Sequence, residues 1–159
     1  MAPARSEGDS RLFARVLGGT APTTLASTAP WAGVLERPEA ARRPAPDVWS
    51  PLEYACHVRD VCRVFDGRVT LMLAEDGPRF ANWDQDETAV AERYAEQDPA
   101  VVGPELREAA ATVAARFAGV REDQWDRTGL RSDGSEFTVL TLGQYFLHDL
   151  AHHLVDVHA

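Results

Sequence analysis

Five histidines occur in this chain, and four of them lie between His148 and His158. His148 and His152 are four residues apart, so on a helix both imidazoles project from one face, about one turn from each other. Two imidazoles at that spacing can hold one divalent metal ion if another element supplies a third ligand. His57 is the remaining candidate. The run His148-Asp149-Leu150-Ala151-His152-His153 also permits a second register, in which Asp149 pairs with His153. Leu142, Tyr145, Phe146, Asp149, His153 and Asp156 form one mixed stripe, and Tyr145, His148, His152 and Val155 form the stripe beside it. Periodicity does not choose between them. His153 and His158 read by default as surface or supporting residues.

The elements that must position these side chains are mostly helical. Ser50-Pro51-Leu52-Glu53 is a helix start, with Ser50 as N-cap, Pro51 in the first turn and Glu53 closing a capping box. The pattern runs through Cys56, Phe65, Val69 and Met72 to about Glu75, where Asp76-Gly77-Pro78 ends it. Asp86 can cap a short helix reaching Tyr94, and Gln97-Asp98-Pro99 breaks it. Leu106, Ala110, Val113, Phe117 and Val120 mark a long amphipathic helix over 101–120. Gly129 and Ser132-Asp133-Gly134 predict a small hairpin or loop within 126–140. Thr141-Leu142-Gly143-Gln144 repeats the capping logic for a last helix reaching about Val157. In the first fifty residues, Ser10 to Leu17 suits two helical turns stopped by Gly18-Gly19. Pro22 and Pro30 predict a broken first helix over 20–35. The expected fold is therefore all-α. It is a four-helix bundle with a long connection between its second and third main helices, one domain over 20–159 after an extension or short helix over 1–19.

Composition narrows the function classes. Twenty-five acidic against sixteen basic side chains give a formal charge of -9, which disfavours phosphate backbones and anionic lipid surfaces. No basic patch offsets it, so neither nucleic acid nor membrane is an expected partner. Cys56 and Cys62 are six apart, about 240° around a helix, and cannot pair with each other there. Buried reduced thiols, no apolar run of membrane-spanning length and an N-terminus without an apolar signal core lead us to expect a cytoplasmic protein.

Trp49-Ser50-Pro51-Leu52-Glu53, then Cys56-His57-Val58-Arg59-Asp60, then the distant His148-Asp149-Leu150-Ala151-His152, together resemble the DinB-like family of helical bundles. The similarity spans roughly residues 20 to 157. It takes in Arg43-Pro44-Ala45-Pro46-Asp47 and Tyr94-Ala95-Glu96-Gln97-Asp98-Pro99. That family includes thiol S-transferases using mycothiol or bacillithiol and a mycothiol-dependent maleylpyruvate isomerase. The resemblance implies a divalent ion on one His of the second helix and an H-x3-H pair of the last helix, here His57, His148 and His152. The family's first helix is usually continuous, whereas Pro22, Pro30 and Trp31 interrupt it in this chain.

Three neutral imidazoles would leave such an ion its full charge and an open position, which suits catalysis better than structure. Zinc or nickel fits these ligands first, and iron and manganese are also compatible. The ion can lower the pKa of bound water towards ~7 or hold a thiol as thiolate. Asp60 and Tyr145 are the candidate catalytic residues. Asp60 is nearly one turn past His57, and its alternative is a salt bridge to Arg59 or Arg63. Tyr145 is three residues before His148 and can donate to a bound ligand. Glu53 has capping duty, and Trp49, Trp83 and Phe80 are candidate pocket walls. The expected activity is metal-dependent activation of a low-molecular-weight thiol, mycothiol first, for transfer to an electrophilic small molecule. Hydrolysis or isomerisation on the same metal, or non-catalytic sequestration of a small molecule or metal, are the alternatives. A homodimer is compatible with a small bundle that carries an apolar helix face.

Overall fold

The helix that carries His57 begins where local chemistry demands it. Ser50 Oγ accepts from the Glu53 amide at 3.2 Å, the Glu53 carboxylate accepts from the Ser50 amide at 2.9 Å, and Pro51 fills the first position, where a missing N–H costs nothing. Arg43 tightens this start from the preceding loop. Its Nε and Nη2 both donate to Glu53, the latter at 2.5 Å. Glu53 is thus wholly engaged in capping and in one ion pair.

The computed structural model describes residues 19–159, so the short helix expected over Ser10–Leu17 lies outside the described residues. In chain order the helices are α1 (Thr20–Thr28), α2 (Trp31–Leu35), α3 (Pro51–Ala74), α4 (Gln85–Ala91), α5 (Pro99–Ala118) and α6 (Val139–Asp156). The first helix is broken as its prolines predict: Pro22 sits in the opening turn of α1, and Pro30 caps α2. Helix α1 packs on α5 and α6, and α3 packs on the same two, which makes a four-helix bundle. No helix among the described residues is long and apolar enough to cross a membrane.

The core lies along facing stripes. Leu52, Cys56, Phe65, Val69 and Met72 of α3 meet Val102, Leu106, Val113 and Phe117 of α5 and Leu142, Phe146 and Leu150 of α6, all buried. Each such side chain contributes roughly 1.5–3 kcal/mol through burial. Phe146 sits between Phe65 (ring centroids 5.2 Å apart) and Phe117 (5.8 Å), so truncating it would open a cavity costing about 3–5 kcal/mol.

Helix α5 runs two residues earlier than the expected 101–120, α4 stops at Ala91 short of Tyr94, and two helix starts differ because a polar side chain caps them earlier. Helix α6 starts at Val139, not after Thr141. Thr138 Oγ1 accepts from the Thr141 amide while Thr141 Oγ1 accepts from the Thr138 amide at 2.8 Å. Helix α4 is capped by Asp84, not Asp86, through 2.9 Å bonds to the amides of Asp86 and Glu87.

The segment expected as a loop or hairpin joins a small sheet. β2 (Thr128–Arg131) pairs antiparallel with β3 (Glu136–Thr138) and parallel with β1 (Arg79–Phe80). Gly134, at φ +91°, makes the tight turn. Gly129 allows β2 to lie on α3, since a Cβ there would meet Phe80 Cε1 at 2.7 Å and Met72 Cγ at 2.9 Å. The sheet holds the long connection after α3 in place, and with it Trp83 beside His57.

Candidate metal centre

His57 lies in the second turn of α3 and is buried. Its ring stacks on Trp83 (centroids 5.4 Å apart, planes 4° apart) and packs against Trp49 at 5.5 Å. Helix α6 brings two more donors to it, Asp149 and His153, four residues apart on one face. The His57 and His153 rings meet edge to face at 4.6 Å. One ligand atom from each of His57, Asp149 and His153 lies within 4.8 Å of the others.

None of the contacts inside this group is a well-formed hydrogen bond. Asp149 Oδ2 is 3.7 Å from His57 Nε2, and Asp149 Oδ1 is 3.4 Å from His153 Nε2. Both His57 nitrogens and His153 Nε2 are fully buried with no hydrogen-bond partner. Buried polar atoms are normally satisfied, because leaving one unpaired costs about 1–3 kcal/mol. One unpaired nitrogen from each of His57 and His153, meeting beside the Asp149 carboxylate, fits a divalent cation that would accept both lone pairs.

The surroundings orient the donors. His153 Nδ1 is 2.9 Å from Asp156 Oδ2, which fixes the proton on Nδ1 and leaves the Nε2 lone pair facing Asp149 and His57. Burial opposes ionisation of Asp149, but the imidazoles of His153 and His57 outweigh it and hold the carboxyl well below its usual range. Burial likewise opposes charge on His153, yet Asp149 and Asp156 raise its pKa above the ordinary value. Asp149 therefore enters as a carboxylate. Two imidazoles and one carboxylate would leave a divalent ion one net positive charge and open positions.

Of the three ligands expected from sequence, the structure brings only His57 into this group. His148 and His152 are exposed, with rings 6.3 Å apart and no third donor from α3. The correction is one of register. Val139, Leu142, Phe146, Leu150 and Val157 mark the buried stripe of α6, His153 falls on it, and a shift of one residue turns a side chain by about 100°. Extending that apolar stripe to Val157 is the signal that would have selected His153. His152 and His153 also share Asp156 in a second cluster, but His152 is 63% exposed there and its 3.2 Å contact is an ordinary surface pair.

Asp60 is not in the site either. It accepts from the Tyr94 hydroxyl at 2.5 Å and from Arg59 and Arg63, between α3 and the segment leading to α5, so its charge is committed to packing those elements. Tyr145 is 49% exposed, stacks on Phe65 at 5.9 Å, and lines a small cavity that His57 and Asp149 also line. Trp83 walls the same cavity, and Arg68 and Arg131, which the sequence reading did not single out, complete it. A larger cavity of about 680 Å³ lies between α1, α2 and α5. It is lined by Leu25, Trp31, Leu35 and Pro104 with Glu36, Asp98 and Arg107, and by no imidazole or thiol among the described residues.

The bundle as a whole matches a known family. The model of the DinB superfamily matches residues 21–156, and the chain belongs to that superfamily. Among solved structures it is similar to YfiT from Bacillus subtilis, described as a probable metal-dependent hydrolase with an unusual four-helix bundle topology. The TM-score is 0.70 at 17% identity, covering 99% of this chain and 90% of that one. No curated protein matches the chain by sequence.

Proposed function

We propose that the protein is a metal-dependent enzyme that activates a low-molecular-weight thiol, mycothiol first, for transfer to an electrophilic small molecule. The observation that carries the metal is the meeting of one unpaired, buried nitrogen from each of His57 and His153 beside the Asp149 carboxylate. A divalent ion bound there supplies Lewis acidity, which promotes ionisation of a thiol or a water at neutral pH. Two imidazoles and a carboxylate suit zinc, nickel, iron or manganese.

The chain's residues do the positioning. Asp156 holds the His153 ring in the tautomer that presents Nε2, and Trp83 pins the His57 ring by stacking. Asp149 supplies the negative charge and is the most open of the three donors, so reactants approach from its side. Tyr145 stands at that opening and can donate to a reactant. The protein has no thiolate of its own to offer. Burial pushes the Cys56 and Cys62 thiols up to about 12, so a thiol must come from solution.

Hydrolysis is the second reading, favoured by the description of YfiT as a probable metal-dependent hydrolase. The test is to incubate zinc-loaded and metal-free protein with a panel of electrophiles and esters, with and without mycothiol, and to follow products by mass spectrometry. Conjugates that form only with metal and thiol support S-transfer. Thiol-independent cleavage supports hydrolysis. Unchanged small molecules with tight binding would overturn both and leave a sequestering protein.

A further inference from the structure

Two arginines of α3 are buried, and they are treated oppositely. Arg59 donates to Asp60 and to Glu105, so its charge is neutralised within the protein. Arg68, only 7% exposed, has no carboxylate within 4.0 Å among the described residues. Its one hydrogen bond among the described residues runs from Nη2 to the Ala81 carbonyl at 3.1 Å, and its guanidinium lies over the rings of Phe80 (4.9 Å) and Phe65 (5.5 Å). A buried charge without a partner is expensive, and proteins normally pair it. Here the neighbouring charge has the same sign. Arg131 lines the same cavity, and its own partner, Asp133, is held through two guanidinium nitrogens and the Ser135 amide. Burial, and then the charge of Arg131, outweigh the opposing effects of Tyr145 and Asp133 and push the Arg68 pKa below its ordinary value. The other acid of the cavity, Asp149, is committed to His57 and His153.

We infer that this cavity is the acid-binding end of the substrate site: Arg68, supported by Arg131, takes the carboxylate of a small organic acid whose reacting part lies against His57, Asp149 and His153. The inference rests on the proposed function for the position of the reacting part. The cavity, about 70 Å³, accommodates a carboxylate head and little else, so the rest of the substrate extends through the opening beside Tyr145. Among the described residues Arg68 retains unused N–H donors, in a planar fork that matches a carboxylate. A phosphate dianion suits the cavity less, since Asp149 would repel it.

The experiment titrates acetate, neutral acetamide of the same shape, and inorganic phosphate into the full-length protein, metal-free and zinc-loaded. Binding is followed by calorimetry and by the Trp83 indole resonance. Acetate should bind metal-free protein about tenfold or more tighter than acetamide and shift the Trp83 signal. Arg68→Met should bring the two within about twofold, and Arg68→Lys should fall between, because a point charge replaces the fork. Arg68→Met should also raise the melting temperature of the ligand-free protein, since it removes an unpaired buried charge. Equal binding of acetate and acetamide by the wild type, tighter binding of phosphate, or unchanged acetate binding in Arg68→Met would each overturn the inference. The wild-type comparison and the Trp83 signal decide it even if a variant fails to fold. Acetate binding in metal-free protein that takes up no zinc would sink the metal reading while leaving the acid-binding site standing.

Discussion

The register of α6 makes a sharp prediction: Asp149→Ala and His153→Ala should lose metal, whereas His148→Ala and His152→Ala should keep it. Its magnitude can be worked out. Structural zinc sites with four ligands bind with about 10–16 kcal/mol, so one ligand is worth about 3 kcal/mol, or about a hundredfold in Kd. At free zinc a hundred times the wild-type Kd, binding stabilises the native state by about 2.7 kcal/mol. Unfolding entropy of about 2.1 cal/mol/K per residue sums to about 0.3 kcal/mol/K over this chain, so Tm should rise by about 8 °C. With Kd a hundredfold weaker, the same zinc stabilises by about 0.4 kcal/mol, a rise of about 1 °C. The exposed pair His148 and His152 gains no donor from α3, so their variants should retain most of the 8 °C. Asp156→Ala should fall between, because losing the group that orients His153 costs about 10–100-fold in affinity. Thermal melts with and without zinc, alongside metal content by mass spectrometry, decide the matter. If His152→Ala abolished the zinc shift while Asp149→Ala kept it, the donor set would be wrong.

Three further outcomes follow from the same geometry. Cys56 and Cys62, pushed up to about 12 by burial, should resist iodoacetamide at pH 8 until the protein unfolds, and mass spectrometry of the native protein reads this directly. Tyr94→Phe removes the 2.5 Å donor to Asp60 and should cost about 1–2 kcal/mol in urea melts while leaving zinc binding unchanged. A matching loss of zinc would mean that Asp60 serves the site after all. Glu53→Gln should cost about 1–2 kcal/mol at pH 7, because half of its ion pair is solvent-exposed. Burial raises the Glu53 pKa, but the bonds from Arg43 and Ser50 outweigh it and leave the folded value low. Its stabilisation is therefore present above the unfolded pKa near ~4.3 and is lost as pH falls through the folded value. The gap between wild type and variant should narrow below about pH 4, and a constant gap would refute the ion pair's role.

Local signals and long-range packing divide this protein cleanly. The capping box at Ser50, the breaks at Pro30 and at Gln97-Asp98-Pro99, and the helical spacing of Leu106, Val113 and Phe117 are all contained within a turn or two of chain. A linear reading reaches them because their physics is local. The presence of His57 in the second turn of a capped helix, and of a His- and Asp-rich last helix, is legible in the same way. Which donors of that last helix face His57 is not. Two stripes one residue apart both carry possible ligands, and only the docking of Leu142, Phe146 and Leu150 against α3 and α5 sets the rotation that turns Asp149 and His153 inward. Asp60 illustrates the same limit: its neighbours at Arg59 and Arg63 are visible in sequence, but the hydroxyl of Tyr94, thirty-four residues away, claims it only in three dimensions. The pairing of β1 with β2 was beyond sequence for a related reason. Two-residue strands carry no periodicity, and their register depends on Gly129 meeting Met72. Arg68 reads as one polar residue on an amphipathic helix, and its burial without a counter-charge appears only when Phe65, Phe80 and Arg131 have closed around it. Sequence alone therefore determined the helices and the kinds of donor they carry, because both are written in residue types and short spacings. Tertiary packing decided which of those donors share a cavity, because that depends on the rotation of one helix against its neighbours.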